Sequence, residues 1–168
     1  MEVWDLYNEN RQIIGEHIRG QKLPDNAYHL VVNVWIKNKD DKYLISQRSA
    51  QVLSNPLLWE TTCGSVLKGE SSIQGALREV KEELGIDLNI NDGKLVFSTL
   101  RKKVNNKIYN DFLDVYLFLY NGEVSLKNAT TNEVIQYKWL TVEQIKELFE
   151  RKFLISSLQY FFETKDLC

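Results

Sequence analysis

Glu79, Glu82 and Glu83 stand at positions i, i+3 and i+4, so on a helix their three carboxylates share one face. At about 6 Å each pair repels by about 0.7 kcal/mol in water and by about 3 kcal/mol at an effective dielectric of about 20. Most acidic helix faces are simply solvated, and there the lower figure is tolerable. Two features set this face apart. Arg78 stands beside Glu79 and one turn before Glu82, where a single guanidinium can orient both. A glycine-bounded loop, Gly64 to Gly69, leads into the segment and lets backbone approach the carboxylates closely. Clustered hard oxygen donors with room for a phosphate are the ligand set that Mg2+ requires.

The element that must carry these carboxylates is legible at both ends. Ser71-Ser72-Ile73-Gln74 has the form of a capping box, and Gly85 suits a left-handed C-cap, so the spacing predicts a helix over 72–84. Ile73, Leu77, Val80 and Leu84 fall on the face opposite the glutamates and read as its core side. Upstream, residues 3–7 and 12–15 alternate around Asn8-Glu9-Asn10 and predict a hairpin. Residues 29–37 and 43–47 predict strands joined by the polar turn Asn38-Lys39-Asp40-Asp41, and a segment around Trp59 to Cys63 leads into the glycine loop. Downstream, 94–103 and 108–120 predict a long hairpin across Asn105-Asn106, 134–140 a further strand, and 143–151 and 154–163 two helices. Strands mixed with a few helices imply an α/β or α+β fold.

A chain of 168 residues fits one domain, 1–168, with residues 1–26 as an N-terminal hairpin extension. A net charge of −2 with 26% charged residues leaves no polybasic footprint, so no nucleic-acid partner is expected. The longest apolar-rich run, 112–120, is interrupted by Asp114 and is too short to cross a membrane. The opening MEVWDLYNEN has acids and no apolar stretch of the secretory kind. Cys63 and Cys168 alone do not suggest a disulfide framework, and the cytoplasm is the expected compartment.

From Gly64 to Ile86 the chain reads GSVLKGESSIQGALREVKEELGI and matches G-x5-E-x7-R-E-U-x-E-E-x-G-U, U being a bulky aliphatic, at every fixed position. Gly64, Glu70, Arg78, Glu79, Glu82, Glu83 and Gly85 supply the fixed letters, and Val80 and Ile86 the aliphatic ones. A chance match in a chain this long is expected on the order of one time in a million or less. The segment resembles the Nudix box. The resemblance implies an α/β/α sandwich around a mixed β-sheet, here with an N-terminal β-hairpin added. It implies a hydrolase dependent on Mg2+, with Mn2+ as the alternative metal, that cuts a diphosphate linkage in a small nucleoside-diphosphate-linked or related substrate. In that reading Glu79, Glu82 and Glu83 ligate the metal, the Gly64 carbonyl completes the shell and Arg78 orients the glutamates. Glu70 supports the loop or binds a second metal through water. Glu133, in the loop before the 134–140 strand, lies where Nudix enzymes often place an extra acid. It or one of the helix glutamates takes the proton of the attacking water, and coupled carboxylates leave that choice open.

The stretch from Trp4 to Ile86 also resembles the isopentenyl-diphosphate isomerase branch of that superfamily, through WDLY-x-EN and YHLVV-x-VWI. Those isomerases carry a Cys followed by Gly-His, two histidines before the first core strand, and a Glu-x-Glu pair after the box. Here Cys63-Gly64 keeps the cysteine, but Ser65 replaces the histidine and Lys22 stands at the spacing of one upstream histidine, while His29 matches the other. Asp111 and Asp114 have the wrong spacing for the acid pair, and the R-E-U-x-E-E core that isomerases relax is intact. Hydrolysis is therefore the expected activity. Isomerisation of an allylic diphosphate and a non-catalytic nucleotide-binding module are the alternatives, and pairing of the N-terminal hairpin with a second chain leaves a homodimer open.

Other residues divide between chemistry and structure. His29 opens an apolar strand and reads as a core or sheet-edge histidine before a ligand. Cys63 reads as a structural thiol. Trp35, Trp59 and Tyr109 could stack on a base, although aromatics at strand spacing usually belong to the core. Arg48 and Lys68 are candidate phosphate contacts, although exposed basic residues usually do nothing specific. The two activities separate at Cys63. In Cys63→Ala, phosphate release from a diphosphate should keep most of its wild-type rate, whereas an isomerase should lose nearly all turnover of isopentenyl diphosphate. Cys63-dependent isomerisation without phosphate release would overturn the hydrolase expectation.

Overall fold

The computed structural model describes residues 2–104 and 107–168, so the expected turn at Asn105-Asn106 lies outside the described residues. The chain opens with β1 (Val3–Tyr7) and β2 (Ile13–Ile18), then β3 (His29–Lys37), β4 (Tyr43–Arg48), β5 (Trp59–Glu60) and β6 (Thr62–Ser65). Helix α1 (Ser72–Leu84) follows, then β7 (Lys94–Val104), β8 (Lys107–Leu119), β9 (Val134–Leu140), α2 (Val142–Glu150) and a closing 3₁₀ helix, Ser156–Glu163. Seven strands form one sheet in the order β5-β4-β3-β8-β7, with β6 also paired to β3 and β9 to β4. β3 and β8 run parallel and the other pairs antiparallel, so the sheet is mixed.

A strand covered on both faces reads as a near-continuous apolar run, and β3 does so because it is central. Its Leu30, Val32, Val34 and Ile36 pack with Val80 and Leu84 of α1. Its Val31 and Trp35 turn to the other face and pack with Ile145 of α2 and with Leu158 and Phe161. The result is the expected helix–sheet–helix sandwich. No helix among the described residues is long and apolar enough to cross a membrane.

Helix α1 has the predicted ends. The Ser71 N–H donates to Gln74 Oε1 at 2.8 Å in the capping box. Gly85 takes φ 67°, with Asn128 and Ala129 packed where a side chain would project. Two elements differ from expectation. β2 extends to Ile18 because it pairs with β1 as far as Val3. Residues 154–163 form no α-helix, and the 3₁₀ helix Ser156–Glu163 stands there instead. Side chains three apart eclipse in that geometry. Leu158 and Phe161 therefore enter the core together, with Phe161 stacked 4.1 Å from Trp35.

The β1–β2 hairpin is a separate two-stranded ribbon fixed to the sheet by a charge. Asn8 Oδ1 accepts from the N–H groups of Asn10 and Gln12, closing a turn in which Arg11 adopts φ 58°. Arg11 then grips Asp114 of β8 with both ends of its guanidinium, at 2.8 and 2.5 Å. The Asp114 side chain is 2% exposed. Burial pushes its carboxyl up, but the hydrogen bonds from Arg11, Ser72 and Ser98 outweigh that and hold it below its ordinary value. In Arg11→Met the buried carboxylate loses its counter-charge, and Tm at pH 7 should fall by roughly 5–10 °C, a loss moderated by the partial exposure of Arg11. A depressed native value stabilises above the ordinary one, so the wild-type advantage should be complete well above pH 3.8 and vanish as pH falls below it. Equal Tm values at pH 7 would remove this role from Arg11.

Candidate active site

Arg78 is the junction between the glycine loop and α1. Its Nε donates to Glu70 Oε1 at 2.9 Å and its Nη2 to Glu70 Oε2 at 3.1 Å and to the Ser65 carbonyl at 2.8 Å. Its Nη1 donates to Glu79 Oε1 at 2.8 Å and to Glu82 Oε2 at 3.1 Å. Burial works against the Arg78 charge, and Glu70 and Glu79 outweigh it, so the guanidinium is held more firmly protonated than usual. Glu70 Oε2 also accepts from the Leu67 N–H at 2.9 Å, which leaves Glu70 a loop staple away from the cleft wall.

Glu79, Glu82 and Glu83 line a cleft of about 320 Å³ together with Gly64 and Glu133. Gly64 is there for a steric reason: a Cβ at that position would overlap the Glu79 carboxylate. Glu133 arrives through the C-terminal end of α1. The Glu82 carbonyl accepts from the N–H groups of Thr130 and Thr131 at 3.0 and 3.1 Å, which draws the loop before β9 to the helix. The Glu133 carbonyl in turn accepts from the Ser49 N–H at 2.6 Å.

A further acid, Glu60 on β5, enters the same cleft and was not foreseen. It is 4% exposed and ion-paired with Arg48, whose Nε also donates to the Ser54 carbonyl at 2.9 Å. A glutamate on a two-residue strand carries no periodicity, so only tertiary pairing reveals it. Asn33 was equally overlooked, although a lone amide inside HLVVNVWIK is a buried polar group that needs a partner. Its Nδ2 donates to the Tyr160 hydroxyl at 2.8 Å at the cleft floor, and its Oδ1 has no partner among the described residues.

Burial dominates the electrostatics. It pushes the Glu79 carboxyl up to about 7 against the pull of Arg78. It pushes Glu60 up to about 7 against Arg48. Glu83, 3% exposed, is raised well above the ordinary carboxylate range by burial first and then by Glu60, Glu79 and Glu133. Its Oε2 has no hydrogen-bond partner among the described residues. The Cys63 thiol, set between these acids and Arg101, is likewise pushed up by burial and then by Glu60, so it is held as a thiol.

The remaining residues singled out in the sequence scatter. Arg48 lines the cleft, whereas Lys68 does not and pairs with Glu16 of the hairpin. His29 stacks on Trp4 at 4.4 Å, away from the cleft, with its Nδ1 buried and unpartnered among the described residues. Trp35 and Trp59 are core residues, whereas Tyr109 is half-buried on the cleft wall. Asp111 and Asp114 do not form an acid pair: Arg101 holds one and Arg11 the other.

The comparisons agree with this geometry. The NUDIX domain profile matches residues 27–161. A Nudix hydrolase of Listeria innocua is 38% identical over 150 residues, spanning 88% of this chain and 85% of its own length. A chloroplastic isopentenyl-diphosphate Delta-isomerase of Cannabis sativa is 28% identical over 87% of this chain and 57% of its own length. A crystal structure of the Deinococcus radiodurans protein DR0079 superposes with a TM-score of 0.72 at 22% identity, covering 91% of each chain. The chain belongs to the Nudix family, a class of pyrophosphohydrolases acting on acid anhydrides.

The buried charge of Glu83 has a stability consequence. An acid with a raised native value stabilises less as pH climbs past its unfolded value of about 4.5. In metal-free protein Glu83→Gln should therefore raise Tm by roughly 2–6 °C at pH 8 and change it little at pH 4. A lower Tm at pH 8 would contradict the electrostatic description.

Proposed function

We propose that the protein is a Mg2+-dependent hydrolase of diphosphate linkages in nucleoside-diphosphate-linked or related small molecules, with Mn2+ as the alternative metal. The observation that carries this reading is the convergence of Glu79, Glu82, Glu83 and Gly64 on one cleft, with a buried Glu83 oxygen that has no hydrogen-bond partner among the described residues. The donor set fits the ion. Arg78 engages one oxygen each of Glu79 and Glu82, leaving the other oxygen of each for a cation. The Gly64 backbone lies against Glu79 with no side chain between. Among the described residues no three His, Cys, Asp or Glu side chains are drawn around one point. When bound, Mg2+ lowers the pKa of a water and neutralises charge on the diphosphate oxygens.

The chain's own residues do the rest. Glu79, Glu82, Glu83 and the Gly64 carbonyl would hold the ion, and Arg78 fixes the two glutamates it bridges. Water oxygen attacks one phosphorus, the bond from that phosphorus to the bridging oxygen breaks, and a carboxylate of this set or Glu133 takes the water's proton. Glu70, engaged by Arg78 and the Leu67 N–H, supports the loop. Two cysteines that form no disulfide fit a cytoplasmic location. The isomerase reading has the weaker support, because Arg101 and Arg11 each neutralise an acid on β8 and Ser65 follows Gly64.

Phosphate release from a panel of diphosphates, with Mg2+ and with a chelator, tests the proposal. Glu82→Gln and Glu83→Gln should each lower the rate on the best substrate by at least about a hundredfold. A rate near wild type in either variant would remove that residue from the metal site, and turnover indifferent to the chelator would overturn the reading.

A further inference from the structure

The wall of the cleft on the β7–β8 arm has the opposite charge. Arg101 projects there from β7, with Lys107 and Tyr109 from β8. Arg101 spends Nε and Nη2 on the two oxygens of Asp111, each at 2.7 Å, and makes no hydrogen bond through Nη1 among the described residues. Asp111 therefore fixes the guanidinium without using its last donor edge. The Arg101 side chain is only 10% exposed, so its position is set by packing. Its guanidinium carbon sits 4.4 Å from the Tyr109 ring centre, and Lys107 Nζ sits 5.5 Å from the same centre. A nitrogen base would need a free ring face to stack on. Two cations already lie over this ring, and together they offer donors suited to an anion. Cys63 lines the same cleft as both the glutamates and Arg101.

We propose that Arg101, Lys107 and Tyr109 form an anion site for the end of the substrate that is not attacked. The substrate class is then a diphosphate whose organic part carries its own phosphate or carboxylate. This assignment rests on the hydrolase reading, because it names the unreacted end of that substrate. Charge orders the substrate along the cleft. The acid end must receive a cation before it can accept phosphate oxygens, whereas the Arg101 end accepts an anion directly. Arg101 contributes a fixed fork and Lys107, which is exposed, a movable charge.

Inorganic phosphate in metal-free buffer is the probe, read by the amide shifts of Arg101, Lys107 and Tyr109 in 15N-labelled full chain. Saturable shifts should appear at millimolar phosphate, and Lys107→Met should weaken the binding by roughly fivefold, as expected for losing one charge-assisted contact. Added NaCl should weaken it further by screening. Sodium acetate at equal ionic strength forms the second arm: tighter binding of phosphate assigns a phosphate group, and tighter binding of acetate a carboxylate. Shifts that never saturate, or saturation unchanged in Lys107→Met, would overturn the site. Lys107 is exposed, so this variant leaves the fold intact, which a circular dichroism spectrum checks. No turnover is needed. Phosphate binding without hydrolysis would count against the enzyme reading alone, and hydrolysis without phosphate binding against this site alone.

Discussion

Carboxylates gathered in a half-dry cleft repel one another more strongly than in water, and a helix that carries three on one turn needs a fixed cation among them. Arg78 is that cation. It bridges Glu79 and Glu82 on its own helix to Glu70 and the Ser65 carbonyl in the preceding loop. Loop and helix thus become one rigid unit, and the position of Gly64 relative to Glu79 follows from it. The compensation is incomplete. Glu83 is buried with an oxygen that has no partner among the described residues, and Glu60, Glu79 and Glu83 are all pushed up by burial. A site that stores this much unfavourable charge is suited to a divalent cation, since binding relieves the strain that folding imposed.

The sheet supplies the frame for that unit. β3 is buried on both faces, so its register with β6 is fixed by two hydrophobic layers at once, with Asn33 opposite Cys63 and Val32 opposite Gly64. The same strand runs parallel to β8, which sets Arg101 and Asp111 across the cleft from α1. The hairpin closes one side through the Arg11–Asp114 pair and a bond from the Lys68 N–H to the Val3 carbonyl at 2.8 Å.

What the sequence disclosed depended on how local the physics was. Helix α1 was legible to the residue because its caps, apolar stripe and acid face all lie within fifteen or so positions. β3 and β9 were legible through their uniform patterns. The 3₁₀ helix was not, since Leu154 to Glu163 has an apolar pattern that a helix of either pitch satisfies, and stacking on Trp35 decides between them. Glu60, Asn33 and Arg101 escaped because their roles come from partners far along the chain: Arg48, Tyr160 and Asp111. Tyr109 looked like a core aromatic and became a cleft residue because two cations hold it at the surface of the arm.

The central claim is that the α1 carboxylates hold a divalent cation, and the most direct measurement is the electron paramagnetic resonance signal of free Mn2+ titrated against the protein. Wild-type protein should remove Mn2+ from the free signal, Mg2+ should return it, and Glu79→Gln and Glu83→Gln should each abolish most of the uptake. A free-Mn2+ signal that is the same with and without the wild-type protein, or uptake that survives both substitutions, would contradict the account.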